Sequence, residues 1–165
     1  MRRVIAAGAL AILAFCGLTG APEAEAQAGK ACAGVLMKDC LSQTLTDMGL
    51  EPKPLGEGYL ILVERDGWKL YVDVIISSDN TKVGFNSNLG NVNEQRVSAA
   101  QWMALMAANK EIDPSVFYYD TSKKQLYIHR VLDNRSMSPA ILRDQLDRSF
   151  SDIRSSEKVW SPVTQ

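Results

Sequence analysis

Residues 58–76 read GYLILVERDGWKLYVDVII, and this stretch decides the fold class. Two runs rich in β-branched and aromatic residues flank Asp66-Gly67, a dipeptide that favours the two-residue turn of a β-hairpin. The predicted register places apolar residues opposite apolar residues and pairs opposite charges, as antiparallel strands prefer. Its pairs are Arg65 with Trp68, Glu64 with Lys69, Val63 with Leu70, Ile61 with Val72 and Tyr59 with Val74.

Both faces of this hairpin are apolar. Side chains alternate between the two faces of a strand, so a second face opposite Ile61 and Val72 carries Leu60, Leu62, Tyr71 and Ile75. Either a helix of the same chain covers this second face, or a partner does. An open apolar face contributes several kcal/mol to an association, at roughly 25 cal/mol per Å² buried.

The segments before and after the hairpin predict a helix and one more strand. The spacing of Met37, Leu41, Leu45 and Met48 makes one apolar stripe on a helix over residues 35–49. The following stretch EPKPLGEG is predicted to be a loop. A turn at residues 77–80 leads to a third strand over residues 81–87, and NSNLGNVN, residues 86–93, is predicted to be a polar loop.

The second half of the chain predicts a helix, a second hairpin and a last helix. Ser98 and Gln101 form a capping box that opens a helix over residues 98–110. The runs VFYYD and QLYIHRV flank a turn at residues 121–124, with Tyr118 and Tyr127 on one face. Ser138-Pro139 starts a final helix that ends near Trp160. The order α-β-β-β-α-β-β-α indicates an α+β domain with an antiparallel sheet.

The middle helix, SAAQWMALMAANK, is apolar almost all round. Such a helix must be covered on more than one side. The cover is either the sheet and another helix of this chain, or a second subunit, which would make the protein a homodimer. Aromatic residues on apolar patches are typical contact anchors. The predicted partner-binding residues are therefore Leu60, Leu62, Tyr71, Ile75, Trp102, Tyr118 and Tyr127.

The first residues predict export. Arg2 and Arg3 precede an apolar run over residues 4–15, and small residues with two A-x-A sites follow, which is the pattern of a secretory signal peptide. The run is shorter than the roughly 20 apolar residues of a membrane-spanning helix. We predict a signal peptide over residues 1–28, a single domain over residues 29–165, and a periplasmic or secreted bacterial protein. The alternatives are an uncleaved anchor, and a lipoprotein that Phe15 before Cys16 disfavours.

Two cysteines, Cys32 and Cys40, remain after the predicted cleavage. An exported protein meets an oxidising compartment, which favours a disulfide. In one straight helix the two residues would be about 12 Å apart along the axis, whereas a disulfide needs Cα atoms within about 7 Å. They form a bridge only if the chain around Gly34 turns back before the helix begins. The alternative is two buried or free thiols.

The composition and the single histidine exclude several function classes. The 165 residues carry 18 Lys and Arg against 19 Asp and Glu, so no basic surface predicts a nucleic-acid partner. His129, in mid-strand, is the only histidine, and no nucleophile motif or glycine-rich phosphate loop accompanies it. Two cysteines and one distant histidine do not make a four-ligand metal site. We predict no catalysis, no metal and no cofactor.

Several short motifs point to one family. They are L-x-x-M-G-L at residues 45–50, G-Y-L at 58–60, D-G-W at 66–68, V-S at 97–98, a strand pair like YYD-turn-LYIHR, and V-W at 159–160. With this order of elements, the chain resembles the YbjN family, bacterial proteins often labelled sensory transduction regulators. The resemblance runs from about Leu36 to Trp160, implies a fold like that of type III secretion chaperones, and supplies no catalytic residues. The export signal departs from that family's pattern.

These observations predict an exported, non-catalytic binding module for a protein or peptide, with a chaperone-like or regulatory role. Sheet-edge addition of an extended peptide and packing of an amphipathic segment both suit it. The alternative is a small-molecule binding protein, with a pocket between sheet and helices lined by Trp68, Trp102 or Tyr127. That alternative requires a cavity of roughly 300 Å³ or more.

Overall fold

The computed structural model describes residues 34–164, and the predicted signal peptide and Cys32 lie outside this part of the chain. One antiparallel sheet of six strands, in the order β1-β2-β3-β4-β6-β5, forms the centre of the domain. The strands are β1 Lys53–Leu55, β2 Gly58–Arg65, β3 Trp68–Ile76, β4 Lys82–Asn91, β5 Ser115–Asp120 and β6 Gln125–Asp133. The helices are α1 Lys38–Asp47, α2 Ala99–Ala108, α3 Pro139–Ser155 and the short α4 Glu157–Trp160. The α+β class is confirmed.

The predicted register of the β2–β3 hairpin is confirmed pair by pair, from Tyr59 with Val74 to Arg65 with Trp68. Asp66 and Gly67 adopt φ angles of +52° and +80°. These are the left-handed values that the two central residues of a type I′ turn require. An ion pair of 2.7 Å between Lys69 Nζ and Glu64 Oε1 closes the end of the hairpin.

Two predicted loops are wrong. In the stretch EPKPLGEG, residues Lys53–Leu55 form β1 and pair with Leu60–Gly58 of β2. In NSNLGNVN, residues up to Asn91 continue β4 and pair with β6. The polar side chains of this stretch give no strand pattern, because its backbone is held by β6, which is distant in sequence. A bulge between Asn88 and Gly90 also interrupts the alternation of its side chains.

The sheet has one covered face, here called the inner face. Its strand residues are almost fully buried and share one apolar core with side chains of α1, α2 and α3. The apolar stripe predicted for α3 supplies four of these, Leu142, Leu146, Phe150 and Ile153. The inner-face strand residues of that core are Ile61, Val63, Leu70, Val72, Val74, Ile76, Val83, Phe85, Phe117, Leu126 and Ile128.

Two buried polar side chains link the helical layer and the N-terminal segment to the sheet. Arg130 of β6 donates from Nη1 to Asp152 Oδ2 of α3 at 3.0 Å, and from Nη2 to Gln145 Oε1 at 2.8 Å. Asn134, which is fully buried, accepts from the backbone N–H of Leu36 and donates to its carbonyl oxygen. Because both backbone groups of Leu36 bond to the Asn134 side chain, the segment before α1 is held against the end of β6.

Helix α2 begins as predicted. The Ser98 hydroxyl accepts from the N–H of Gln101, and the Gln101 side chain accepts from the N–H of Ser98 at 2.7 Å, so both halves of the capping box are present. Its residues pack beside β5, where the Trp102 and Tyr119 rings lie with centroids 5.2 Å apart. Leu105 is the fully covered residue of this helix. Within residues 34–164, α2 is therefore covered on one side only.

Candidate partner-binding surface

The second face of the sheet has no helical layer in the described part of the chain, and we call it the outer face. Cross-strand partners share a face, and the pairings across all strands define its members. They include Leu60, Leu62, Tyr71, Asp73, Ile75, Gly84, Asn86, Val116, Tyr118, Tyr127, His129 and Val131.

Large apolar side chains on this face are open to solvent. Tyr71 is 60% exposed, and Ile75, Val116, Tyr118 and Val131 also count among the exposed large hydrophobic residues. Leu60 and Leu62 are half-buried between neighbouring side chains. The two-sided pattern predicted from the sequence is thus present, and its outer half lacks a cover from the described residues.

Two tyrosines form a stacked pair on the outer face. Tyr118 stacks on Tyr127, which is itself buried, and the Tyr118 hydroxyl donates to Asn86 Oδ1 at 3.2 Å. The Lys123 Nζ lies 5.8 Å from the Tyr127 ring centroid, and the Tyr127 hydroxyl donates to Gln125 Oε1. Tyr118 therefore presents an aromatic surface, while Tyr127 supports it from below.

A small pocket indents the outer face at Gly84. Gly84 lies directly opposite Ile75 of β3 and Val131 of β6. With no side chain between these two aliphatic residues, a hollow of about 200 Å³ forms, bordered also by Ser77, Lys82, Asn86 and His129. A Cβ atom at position 84 would lie 3.5 Å from His129 Nε2, which is an ordinary contact distance.

Two buried polar atoms beside this pocket have no hydrogen-bond partner. They are Asp73 Oδ1 and His129 Nε2; among the described residues the third such atom is Ser87 Oγ on the inner face. Burial raises the pKa of the Asp73 carboxyl, against a smaller opposing effect of Lys123. Burial lowers the pKa of His129. Unpaired buried polar groups are uncommon in native proteins and call for an explanation.

The predicted contact residues fall on two surfaces. Six of them, Leu60, Leu62, Tyr71, Ile75, Tyr118 and Tyr127, lie on the outer face. Trp102 lies instead on α2, half-buried against Tyr119. Beside it on α2, Met103 and Met106 are 70% and 74% exposed. Sequence reasoning missed Gly84 and Val131, although a glycine inside a strand is itself a sign of close approach by another group.

The cavities do not favour the small-molecule alternative. The hollow between α2 and the sheet, which Trp102 borders, has a volume of about 180 Å³, below the roughly 300 Å³ of a typical ligand site. Trp68 packs against Trp160 instead, with ring centroids 6.4 Å apart, and Tyr127 lies on the other face. A larger polar hollow of 430 Å³ borders Arg65 and Arg154, whose guanidinium groups already pair with Asp147 and Asp66.

Residues 34–164 contain no group of three or more histidine, cysteine or acidic side chains that could hold a metal ion. No helix within the same residues is long and apolar enough to cross a membrane.

Cys40 is disulfide-bonded. The described residues contain no other cysteine, so its partner lies outside them, as does Cys32. Gly34 has a φ of +101° and α1 begins only at Lys38, so the chain turns before the helix, as a Cys32–Cys40 bridge requires.

Comparison with known proteins identifies the fold. No protein-family model matches this chain, and no curated protein sequence matches it. Solved structures do match, and they show that the fold is YbjN-like and type III secretion chaperone-like. YbjN from E. coli, a proposed transcription regulator, superposes with a TM-score of 0.58 at 16% identity, over 72% of this chain and 87% of YbjN.

Two further matches come from protein complexes. A chain of the ExsC–ExsE complex gives a TM-score of 0.54 at 10% identity, over 74% of this chain and 91% of its own length. A chain of the heterodimeric ExoU–SpcU complex, from the type III secretion system of Pseudomonas aeruginosa, gives 0.53 at 14% identity, over 79% and 98%. At these identities the likeness defines the fold and assigns no function.

Proposed function

We propose that this protein is a non-catalytic binding module that takes a protein or peptide partner on the outer face of its sheet. The observation that carries the proposal is the contrast between the two faces. Helices bury the inner face, whereas Tyr71, Ile75, Val116, Tyr118 and Val131 leave the outer face apolar and exposed. Exposed apolar patches that include aromatic residues are typical of protein contact sites.

The fold supports this proposal. One chain with which it shares its fold comes from the HopA1–SchA chaperone–effector complex, with a TM-score of 0.51. A chaperone-like or regulatory role for the present chain therefore agrees with its architecture. The hollow that Trp102 borders between α2 and the sheet is smaller than a typical ligand site, which favours a macromolecular partner over a small molecule at that place.

The sheet edges offer little room for an added strand. At β5, the N–H of Phe117 donates to Asn109 Oδ1 at 2.7 Å, and the N–H of Ser115 donates to Ile112 O. At the other edge, β1 has three residues, with Pro52 before it and Pro54 within it. Proline lacks the N–H that a strand partner needs. The free edge of β2 is limited to its second half, so packing on the outer face is the better route.

A crosslinking pull-down from the native cell envelope tests the proposal. Tyr71→Lys places a charge on the outer face at an exposed position, so it should abolish partner recovery while the fold is retained. Ile141→Lys, a change of the same kind at an exposed apolar position on α3, is the matched control and should leave recovery unchanged. Equal recovery by wild type and Tyr71→Lys would contradict a binding role for the outer face.

Homodimerisation through α2 is a second candidate contact. Met103 and Met106 project from a helix that the described residues cover on one side only. Burial of two methionine side chains and their alanine neighbours against a second copy would remove this exposed apolar surface. Analytical ultracentrifugation of Met103→Lys/Met106→Lys against wild type tests it. A wild-type protein that is monomeric at all concentrations would remove this candidate.

Export to the periplasm is a further proposal, supported by the sequence of residues 1–28 and by the disulfide at Cys40, since disulfides persist in oxidising compartments. Peptide mapping of the protein purified from the envelope should find a new N-terminus after Ala26 or Ala28 and a Cys32–Cys40 crosslinked peptide. Alkylation of both cysteines without reductant would contradict the bridge.

A further inference from the structure

We infer that the Gly84 pocket and Asp73 together recognise an amphipathic helix of a partner protein, through one aliphatic and one basic side chain a turn apart. This inference rests on the proposed function of the outer face. It goes further, because it names the conformation of the bound segment and the two residue types that are read.

The aliphatic half follows from the shape of the pocket. Ile75 and Val131 lie on either side of Gly84 in adjacent strands, and the hollow of about 200 Å³ between them is bordered mainly by apolar atoms. A branched aliphatic side chain fits such a space and removes its surface from water. Glycine inside a strand costs stability relative to a residue with a side chain, so its presence here provides space for another molecule.

The basic half follows from charge complementarity. Asp73 Oδ1 is buried without a donor, and none of the salt bridges among the described residues includes Asp73. By contrast, three lysines on or beside this face are paired, Lys69 with Glu64, Lys82 with Asp133 and Lys123 with Asp120. A carboxylate with an unsatisfied oxygen favours a cationic donor from the occupant. Lysine and arginine supply both the charge and the N–H groups.

The spacing suits a helix. Asp73 pairs with Asn86, so it lies diagonally across from Gly84, at roughly 7–8 Å between Cα atoms. Residues four apart on a helix have Cβ atoms about 5–6 Å apart. The length of a lysine or arginine side chain covers the rest of the distance between Gly84 and Asp73. A helix also satisfies its own backbone hydrogen bonds, whereas a strand laid flat on a sheet face would leave them unmade. A helix here would complete a three-layer arrangement with the helices of the inner face.

Synthetic helical peptides of about 18 residues, or five turns, provide the test. The reference peptide carries leucine at one position and lysine four residues later on an otherwise alanine and glutamine face. Two variants replace the leucine by alanine or the lysine by glutamine. Binding to the full chain, as its host cell processes it, is measured by fluorescence anisotropy, and we expect each peptide variant to bind about tenfold more weakly than the reference.

Changes in the protein assign each half of the recognition. Gly84→Val fills the pocket and should weaken the reference peptide at least about tenfold, while the melting temperature stays the same or rises because valine suits a strand. Val35→Ile adds bulk at an exposed position in the segment before α1, which is not part of the outer face, and should change neither. Asp73→Asn should remove the preference for lysine over glutamine and leave the preference for leucine over alanine.

The outcomes separate this inference from the proposed function. If Tyr71→Lys abolishes capture of the native partner and Gly84→Val does not, the outer face binds the partner, but the inference that the Gly84 pocket recognises it is overturned. If the reference peptide does not bind wild type, or binds Gly84→Val equally, the inference is also overturned. If Gly84→Val converts a dimer into a monomer in the absence of peptide, a second copy occupies the pocket and the helix inference is wrong.

Discussion

The ring of Tyr118 lies nearly parallel to that of Tyr127, with centroids 5.1 Å apart and an angle of 9° between the planes. Tyr127 is buried and supports the ring of Tyr118, which is exposed and offers the contact surface. A rigid aromatic surface loses little conformational entropy on binding, which favours it as an anchor at interfaces. The pair lies on β5 and β6, and β4 separates it from Tyr71 on β3.

Replacement of Tyr118 by alanine tests this role. Tyr118→Ala should reduce recovery of the native partner at least about tenfold, which is the effect of losing a contact anchor. It should cost about 1 kcal/mol of stability through the lost stacking. Quantitative crosslinking and urea unfolding measure the two effects. Tyr119→Phe, which removes only the hydroxyl that donates to Glu94, is the control, and unchanged recovery by Tyr118→Ala would contradict the role.

Removal of one partner of the buried Arg130–Asp152 ion pair should destabilise the fold far more than the same change in an exposed pair. Side-chain exposure of Arg130 is 6%, and its pair distance is 3.0 Å. Its replacement by alanine leaves Asp152 without its buried cationic partner and should lower the free energy of unfolding by about 3 to 5 kcal/mol. Urea unfolding followed by circular dichroism measures this.

Arg148 provides the matched control for Arg130. It pairs with Asp144 at 2.9 Å, but its side chain is 63% exposed. Arg148→Ala should therefore change the free energy of unfolding by less than about 1 kcal/mol. Similar losses of unfolding free energy for both variants would contradict the expectation that burial makes the loss of Arg130 more costly.

Asn134 should be essential for attachment of the segment before α1. Its side chain bonds both backbone groups of Leu36 and the carbonyl oxygen of Asn80. Asn134→Ala leaves these groups without partners in a buried place and should cost about 2 to 4 kcal/mol of unfolding free energy, since each buried unsatisfied group costs roughly 1 to 3 kcal/mol. Asn93→Ala, which removes a single exposed turn hydrogen bond, is the control and should cost less than about 1 kcal/mol.

Hydrogen exchange gives a second, independent measurement on Asn134→Ala. The Leu36 amide should lose protection in this variant, while amides of the β2–β3 hairpin keep theirs relative to the global stability. Retained protection at Leu36 would contradict the role of Asn134 in holding this segment.

Stability should fall as the pH drops below about 6.5, because burial lowers the pKa of His129 in the folded state. In that range the unfolded chain binds a proton at His129 more readily than the folded protein does, so protons favour unfolding. Asp73 has the opposite sign, since its raised pKa makes the folded state bind a proton more readily and so opposes the loss. Carboxylates with a lowered pKa, such as Asp79 at about 2, titrate at lower pH.

The His129 contribution is isolated by comparison of wild type with His129→Gln. Urea unfolding between pH 7.5 and pH 5.5 should give a free energy that decreases toward acid for wild type and a flatter profile for His129→Gln. The chain has no other histidine to obscure the comparison. Parallel profiles for the two proteins would contradict the assignment.

Local signals predicted much of this fold. Asp66-Gly67 sets a turn whose backbone angles few other residues adopt, and that turn determines every pair of the β2–β3 hairpin. The Ser98 capping box and the apolar stripe of α3 are likewise local patterns, and the structure contains both. Alternation along β5 and β6 correctly placed Tyr118 and Tyr127 on one face.

Long-range contacts decided what these patterns could not. The second half of β4 is polar and has no strand signal of its own, so only its pairing with β6 makes it a strand. Arg143 and Asp147 lie four residues apart on α3, a spacing that suits an ion pair within the helix, but Arg143 donates to Met48 O and Asp147 accepts from Arg65. Side chains that reach other elements do not follow the spacing of their own helix.

The amino-acid sequence by itself determined the register of the β2–β3 hairpin, the starts of α2 and α3 and the presence of apolar side chains on both faces of the sheet, because turn geometry and residue periodicity act over a few neighbouring residues. Only the tertiary structure decided that the helices pack on one face and that Gly84 lies between Ile75 and Val131. Those outcomes depend on which distant elements meet, and that is set by packing of the whole core rather than by any local pattern.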